Sequence, residues 1–355
     1  MAKMNHMNMV TTPPDQAAIS ALQSKLVAAL KPILPEHALL WEPEDTIPYE
    51  CDGLAAYRRM PLAVALPETE EQAAQILKIC YAMQVPVVPR GSGTGLSGGA
   101  MPIAQGLVLS LAKLKKIVSI DPFTRTAVVQ PGVRNLAISE AVAHLGLYYA
   151  PDPSSQIACS IGGNINENSG GVHCLKYGLT LHNVLKVRGL LMNGDAVEFG
   201  SLAPDSPGLD LLAIMIGSEG MLAVVTEVTV KLVAKPKLAS VIMSSFDDIE
   251  KGGDAVAAII AAGIIPAGLE MMDKATTRAV EEFVHAGYDL NAEAILLCES
   301  DGTPEEVAEE IERMTKVLEE AGASGIQISQ DESERLKFWN RLPAMPYLSF
   351  NVTEL

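Results

Sequence analysis

Five glycines fall within residues 86–99, at Gly91, Gly93, Gly95, Gly98 and Gly99, directly after a short β-branched run. No other stretch constrains the fold as much. Glycine tolerates positive φ and lets another group approach the backbone closely. Successive N–H groups can then point into one concavity, a nest suited to an anion such as a pyrophosphate. Arg90 is the only charge in the stretch and adds a fixed positive charge at its mouth. The segment reads as a cofactor phosphate loop.

Gly93-x-Gly95-x-x-Gly98 also matches the dinucleotide pattern G-x-G-x-x-G, which requires a strand before it and a helix straight after. Residues 85–89 supply the strand. Ala100-Met-Pro102 and the strand-like residues 106–111 follow instead of a helix, so the nicotinamide Rossmann reading fails.

The remaining composition narrows the class. A chain of 355 residues with 48% apolar content has material for two or three domains. A net charge of −17 excludes the basic face that nucleic acid demands. Residues 1–14 lack the apolar core of a secretory signal. The longest uncharged apolar run, 255–269, is broken by Gly263 and Pro266 and is too short to span a membrane. It reads as a buried helix running into a strand. Five dispersed cysteines form no C-x-x-C pair, as expected of reduced thiols in a cytoplasmic protein.

Taken in order, residues 15–34 read as an amphipathic helix and 62–66 as a strand. A helix over 67–83 and a strand at 85–88 then lead into the glycine loop. Strands follow at 106–111, 115–121 and 126–131, and a helix at 134–145. Residues 151–155 and 160–171 form a second glycine-rich stretch, long and without regular periodicity, which suits the lining of a ligand. A hairpin turns at Asn193-Gly194. A short helix spans 209–215, and Gly217-Ser-Glu-Gly220 feeds a long β-branched strand. After Lys237 the order becomes strand 238–246, helix 248–262, strand 264–272, helix 274–285, strand 292–299, helix 303–321 and strand 325–330. Without helix 274–285 this is the split β-α-β, β-α-β pattern of a ferredoxin-like domain. Thr303-Pro-Glu-Glu opens its helix with a cap and a proline at the first helical position.

Pro89-Arg-Gly-Ser-Gly-Thr-Gly95, Ser160-Ile-Gly-Gly163, Asn168-Ser-Gly-Gly171, Lys176-Tyr-Gly178 and Gly217-Ser-Glu-Gly220 occur in series. In order and spacing they resemble the vanillyl-alcohol-oxidase-type (p-cresol-methylhydroxylase-type) FAD-binding oxidoreductases, above all the glycolate oxidase and D-lactate dehydrogenase branch. The resemblance covers residues 41–339. It implies an α+β chain with a helical lead-in (1–57) and a two-lobed FAD-binding domain (58–236). A ferredoxin-like substrate domain (237–340), incomplete at its C-terminus, and a divergent tail (341–355) would follow.

The resemblance also implies a cofactor set. Arg90, Gly91, Ser92, Gly93, Thr94, Gly95 and Leu96 would hold the pyrophosphate. Pro131, Gly132, Pro153 and Ser154 would line the flavin side, and Ser160, Gly162, Gly163, Gly170 and Gly171 would pack along it. Glu219, Gly220, Val224 and Val225 would close around it. Ala223 stands where relatives have glycine, a methyl expected to crowd the cofactor slightly. The first loop has no histidine for covalent attachment, so noncovalent FAD is expected.

Such enzymes pass hydride from a small 2-hydroxy acid, glycolate or D-lactate, to the flavin. The resemblance to glycolate oxidase flavin subunits implies a second flavin-like subunit and an iron–sulfur subunit as partners. An H-x-G-D-G-N-x-H-type metal motif is absent from this sequence, and its six histidines show no metal spacing. No catalytic residue and no metal site is therefore assigned. Arg341 departs from the family's arginine context and reads as an exposed tail residue. His173 and His182 read as structural histidines and Lys176 as a solvated lysine. A non-catalytic FAD-binding remnant and a flavin reductase of the same fold are the alternatives.

Overall fold

A computed structural model describes residues 16–203, 208–284 and 287–339. Expectations for residues 1–15 and for the tail 341–355, Arg341 included, lie outside these. The chain divides into two compact units, Met1–Lys113 with Leu190–Ala196, and Leu114–Gly189 with Val197–Leu355.

The first unit holds a four-stranded sheet in the order Leu39–Leu40, Ala63–Ala65, Leu107–Ser110, Val87–Arg90. The last three strands run parallel to one another. Parallel strands covered on both faces read as continuous apolar runs, and Ala63–Ala65 and Leu107–Ser110 are buried throughout. Helix Glu70–Met83 makes the connection to Val87–Arg90. Its first turn carries Glu70 and Glu71, where the helix dipole favours acids, and Thr69 accepts from the Gln72 N–H at 3.2 Å. The glycine loop therefore starts at the carboxyl end of a parallel strand, as the sequence predicts.

In the second unit a five-stranded sheet runs in the order Ile117–Asp121, Thr126–Val129, Val224–Lys231, Val184–Leu190, Ala196–Gly200. A second sheet has the order Gly268–Asp273, Ala294–Gly302, Leu238–Phe246, Gly325–Ile328, antiparallel throughout. Numbered along the chain, that order is two, three, one, four, the ferredoxin-like arrangement. Helix Lys274–Val284 is inserted between its second and third strands, where the sequence places it.

Alternation along these strands makes two separate cores. Ile242, Phe246, Ala294, Leu296 and Cys298 face helices Ile249–Ala261 and Pro304–Glu320. Val241, Met243, Ile295 and Leu297 face the other way, toward Phe338 and Trp339. The same alternation sends Glu299 and Asp301 to that second face. Helix Pro304–Glu320 begins with a full capping box, Thr303 and Glu306 each bonding the other's backbone N–H.

Three local features depart from the sequence reading. The strand expected from 264 begins at Gly268, because Pro266 cannot donate to a ladder. Ile161–Glu167 is helical despite two glycines. Helix Glu332–Trp339 follows the last strand of the ferredoxin-like sheet. The apolar run 255–269 is a helix end and a strand start, and no described helix is long and apolar enough to cross a membrane. All five cysteines are free, and burial pushes the Cys80 and Cys298 thiols up to about 12.

Phe246 is fully buried in the helix-covered core. Phe246→Ala is expected to cost about 3–5 kcal/mol, read as a lower urea midpoint. An unchanged midpoint would contradict the packing.

Candidate functional site

In the first unit the glycine loop leaves strand Val87–Arg90 and is shaped from beneath by Arg90. The guanidinium donates to Cys51 O at 2.7 Å and to Ala100 O at 3.4 Å, and lies over the Tyr49 ring. Burial lowers its pKa from the usual value, and Asp52 acts in the opposite sense. Arg90 thus ties the two ends of the loop to the segment around Cys51. Gly93 and Gly98 have φ of +71° and +79°. A Cβ on Gly93 would fall 2.3 Å from the Arg90 guanidinium. Gly53 packs against the loop from outside, where a Cβ would sit 2.8 Å from Gly95 O. Ser92, Thr94 and Leu96 lie along the loop, and Leu96 is exposed.

In the second unit three further segments converge on helix Ile161–Glu167. Gly162 donates its N–H to Pro131 O at 2.9 Å, and a Cβ there would stand 2.6 Å from Pro131 Cβ. Gly132 in turn donates to Leu114 O at 2.7 Å. The far end of the helix is closed by the Gly217–Gly220 turn. Gly217 and Glu219 donate to Ile165 O and Asn166 O at 2.8 and 2.9 Å, satisfying carbonyls that a helix end leaves free. Glu219 takes a φ of +56° to do so, unusual for a residue with a side chain. Val224 and Val225 are buried at the start of the next strand. The Ala223 methyl lies over Gly189, 3.4 Å from where a Cβ on that glycine would be.

The Pro153–Ser154 turn is joined to the Gly170–Gly171 turn through Asp152. A Cβ on Gly171 would fall 2.3 Å from Asp152 Oδ1, so only glycine fits. Gly170 is covered by Leu179, and Gly163 faces Ser160 Oγ. The sequence-predicted residues of this unit, Pro131, Gly132, Pro153, Ser154, Ser160, Gly162, Gly163, Gly170, Gly171, Glu219, Gly220, Val224 and Val225, therefore lie on four connected segments.

Sequence reasoning missed a charged cluster beside these turns. His173 Nδ1 lies 2.6 Å from Asp152 Oδ2 and its Nε2 lies 3.2 Å from Glu299 Oε1. The other oxygen of Glu299 accepts from Arg335 Nη1 at 3.0 Å and from Trp339 Nε1. Lys176 is not the solvated lysine expected: it pairs with Asp301 Oδ1 at 2.5 Å, and the Tyr177 hydroxyl donates to Asp301 Oδ2 at 2.7 Å. Burial opposes charge on His173, but the hydrogen bonds to Asp152 and Glu299 outweigh it and raise its pKa to about 10. Burial, and the nearby Asp152, raise the Glu270 carboxyl, while His173 acts against them. Asp152, His173, Glu299 and Arg335 also line a cavity of about 1000 Å³. His182, by contrast, only accepts from the Leu179 N–H beyond Gly178. The partners of His173 are 126 and 21 residues away in sequence, so no local spacing announces the cluster.

These surroundings fit a dinucleotide cofactor. Asp52 Oδ2 beside the first loop, and Ser160 Oγ and Asn166 Oδ1 beside the helix, are buried with no hydrogen-bond partner among the described residues. A buried polar atom left so is costly unless a ligand or water meets it. The glycine cradles supply the close backbone approach that a large planar ligand and its phosphates need. Among the described residues no three His, Cys, Asp or Glu side chains form a metal site.

Residues 61–200 match the FAD binding domain family, and residues 235–348 match the C-terminal domain of FAD linked oxidases. The chain is 57% identical over 331 residues to glycolate oxidase subunit GlcD of Escherichia coli K12, covering 92% of this chain and 66% of that protein. It thus spans just under two thirds of the length of that relative. It is 32% identical to a D-lactate dehydrogenase of Anaerostipes hadrus, covering 89% of this chain and 68% of the relative. Among solved structures it is similar to p-cresol methylhydroxylase, with a TM-score of 0.77 at 20% identity over 90% of this chain and 68% of that one. Alkyldihydroxyacetonephosphate synthase gives 0.76 at 19% identity over 96% and 65%. The fold is therefore the two-domain FAD-binding fold expected from the serial motifs, and the cofactor is FAD.

Gly162→Ala forces a methyl into Pro131 and is expected to destabilise the protein by about 1–3 kcal/mol and to lower its flavin content. Gly253→Ala, on a helix position with open space around it, is expected to be neutral or stabilising by about 0.5–1 kcal/mol. Equal melting temperatures and equal flavin-to-protein ratios for the two would contradict the cradle. With its glycine cradles, its orphaned polar atoms and both domain matches in agreement, this chain belongs to the FAD-linked oxidases.

Proposed function

We propose that this chain is the flavin-binding part of an oxidoreductase that oxidises a small 2-hydroxy acid, glycolate or D-lactate. The observation that carries the reading is its 57% identity to a glycolate oxidase subunit across 92% of this chain. The residue-level division into a cofactor domain at 58–236 and a substrate domain at 237–340 belongs to the same proposal. So do partnership with a second flavin-like subunit and an iron–sulfur subunit, and a cytoplasmic location.

The residues have separable tasks in this reading. The backbone of Arg90 to Leu96 holds the pyrophosphate, and Arg90 sets the loop's shape through the Cys51 and Ala100 carbonyls. Pro131, Gly132, Gly162 and Gly163 give the cofactor a flat backbone wall, with the Ser160 hydroxyl available as a hydrogen-bond partner. The Pro153–Ser154 and Gly170–Gly171 turns orient the flavin, and Glu219 to Val225 excludes water from it. Bound FAD supplies the two-electron acceptor for the hydride on the hydroxyl-bearing carbon. Attachment is noncovalent in this reading, since residues 90–99 hold no histidine.

The test is the visible spectrum of the purified flavoprotein under anaerobic conditions. Glycolate or D-lactate is expected to bleach the flavin band, and acid precipitation is expected to release the flavin into the supernatant. A band that persists with both acids would favour a non-catalytic FAD-binding remnant. Bleaching by NADPH alone would favour a flavin reductase.

A further inference from the structure

His173 follows the Gly170–Gly171 turn by two residues and is bonded to Asp152, the residue before Pro153–Ser154. Asp152 spends its whole carboxylate on this one residue: Oδ1 accepts the His173 backbone N–H at 3.2 Å and Oδ2 meets Nδ1 at 2.6 Å. The opposite ring nitrogen meets Glu299 Oε1 at 3.2 Å. Carboxylates only accept hydrogen bonds when ionised, so both ring nitrogens must donate and the ring is an imidazolium. Asp152 immediately precedes Pro153–Ser154, and its main chain lies 2.5 Å from where a Gly171 Cβ would be. The two turns assigned to the flavin side are thus one packed layer, held from behind by a single cation.

We propose that His173 is a positioning residue for the flavin: clamped between Asp152 and Glu299, it fixes the Pro153–Ser154 and Gly170–Gly171 turns and holds positive charge behind them, which favours the reduced cofactor. The proposal rests on the FAD-binding reading of those turns.

Titratable groups from several elements face the imidazolium. Asp152 comes from the turn before it, and Glu299 and Asp301 from the strand Ala294–Gly302. Glu270 comes from the strand Gly268–Asp273. Arg335 and Trp339 of helix Glu332–Trp339 bond the second oxygen of Glu299, and Glu332 holds Arg335 from outside at 2.7 and 2.8 Å. Lys176 is occupied by Asp301. Arg335 and Lys176 are therefore spoken for by other carboxylates, and His173 is the cation that meets Asp152. Reduction adds negative charge to a flavin, and in a partly dehydrated site a nearby cation lost is not replaced by solvent screening. Removing it must disfavour the reduced form.

The decisive measurement is the flavin midpoint potential of the FAD-loaded chain, titrated against redox dyes, for wild type, His173→Gln and Asp152→Asn. His173→Gln is expected to retain flavin but to move the midpoint to more negative potential. Asp152→Asn leaves the ring one carboxylate, which brings its titration back toward neutrality. Its midpoint is expected to lie above wild type at about pH 6, where a negative charge is gone and the ring is still charged, and to fall back toward wild type by about pH 8, where the ring is neutral. A merely structural histidine would change stability or flavin affinity and leave both readouts alone. Wild-type midpoints in both flavin-loaded variants would overturn the proposal. If His173→Gln comes out without flavin, Asp152→Asn decides alone, and an unaltered pH dependence there overturns it. A wild-type chain with no flavin band would instead overturn the FAD-binding reading itself.

Discussion

A carboxylate with a side chain 2% exposed organises the second unit. Glu299 sits on a central strand of the ferredoxin-like sheet, on the face that alternation assigns away from the covering helices. An isolated charge there would cost several kcal/mol in lost hydration. It is tolerated because three donors converge on it: the His173 imidazolium, the Arg335 guanidinium and the Trp339 indole N–H. Those donors come from a turn in the first half of the chain and from the helix that follows the last strand of the sheet. Satisfying one buried charge therefore requires that two distant stretches pack on one sheet face. The apolar side chains Val241, Met243, Leu297 and Phe338 form the core on that same sheet face.

The cofactor cradle obeys a different constraint, which is steric. Gly162 against Pro131, Gly171 against Asp152 and Gly93 against Arg90 each leave less room than a methyl group needs. Glycine is there because the backbone passes so close to its neighbour. The glycines and the charged cluster meet at Asp152, whose main chain lies beneath Gly171 and whose carboxylate holds His173. A catalytic reading of the cradle alone would overlook what holds it from behind.

Much of this was legible in the sequence because it is written locally. Thr303-Pro-Glu-Glu announced a capped helix, and the continuous apolar run from Ala294 to Cys298 suits the strand expected at 292–299. The serial glycine motifs announced a cofactor. What stayed hidden depends on distant pairing. Helix Ile161–Glu167 contradicts the low helix propensity of Gly162 and Gly163, and it forms because Pro131 and the Gly217–Gly220 turn bond both of its ends. His173 looked like one more structural histidine, and Lys176 a surface lysine, because Glu299 and Asp301 lie more than a hundred residues away. Arg90 was expected at the mouth of its loop as a charge. The structure turns its guanidinium toward the Cys51 and Ala100 carbonyls, a geometry that no spacing rule encodes.

The central claim is that this chain carries a flavin dinucleotide through backbone cradles, one of them built for a pyrophosphate. The most direct test is a thermal melt of flavin-stripped protein with saturating FAD, FMN or riboflavin. FMN and riboflavin present the same ring system without the pyrophosphate. The account predicts a clear rise in melting temperature with FAD and little or none with the other two. An equal rise with FMN, or no rise with FAD, would contradict it.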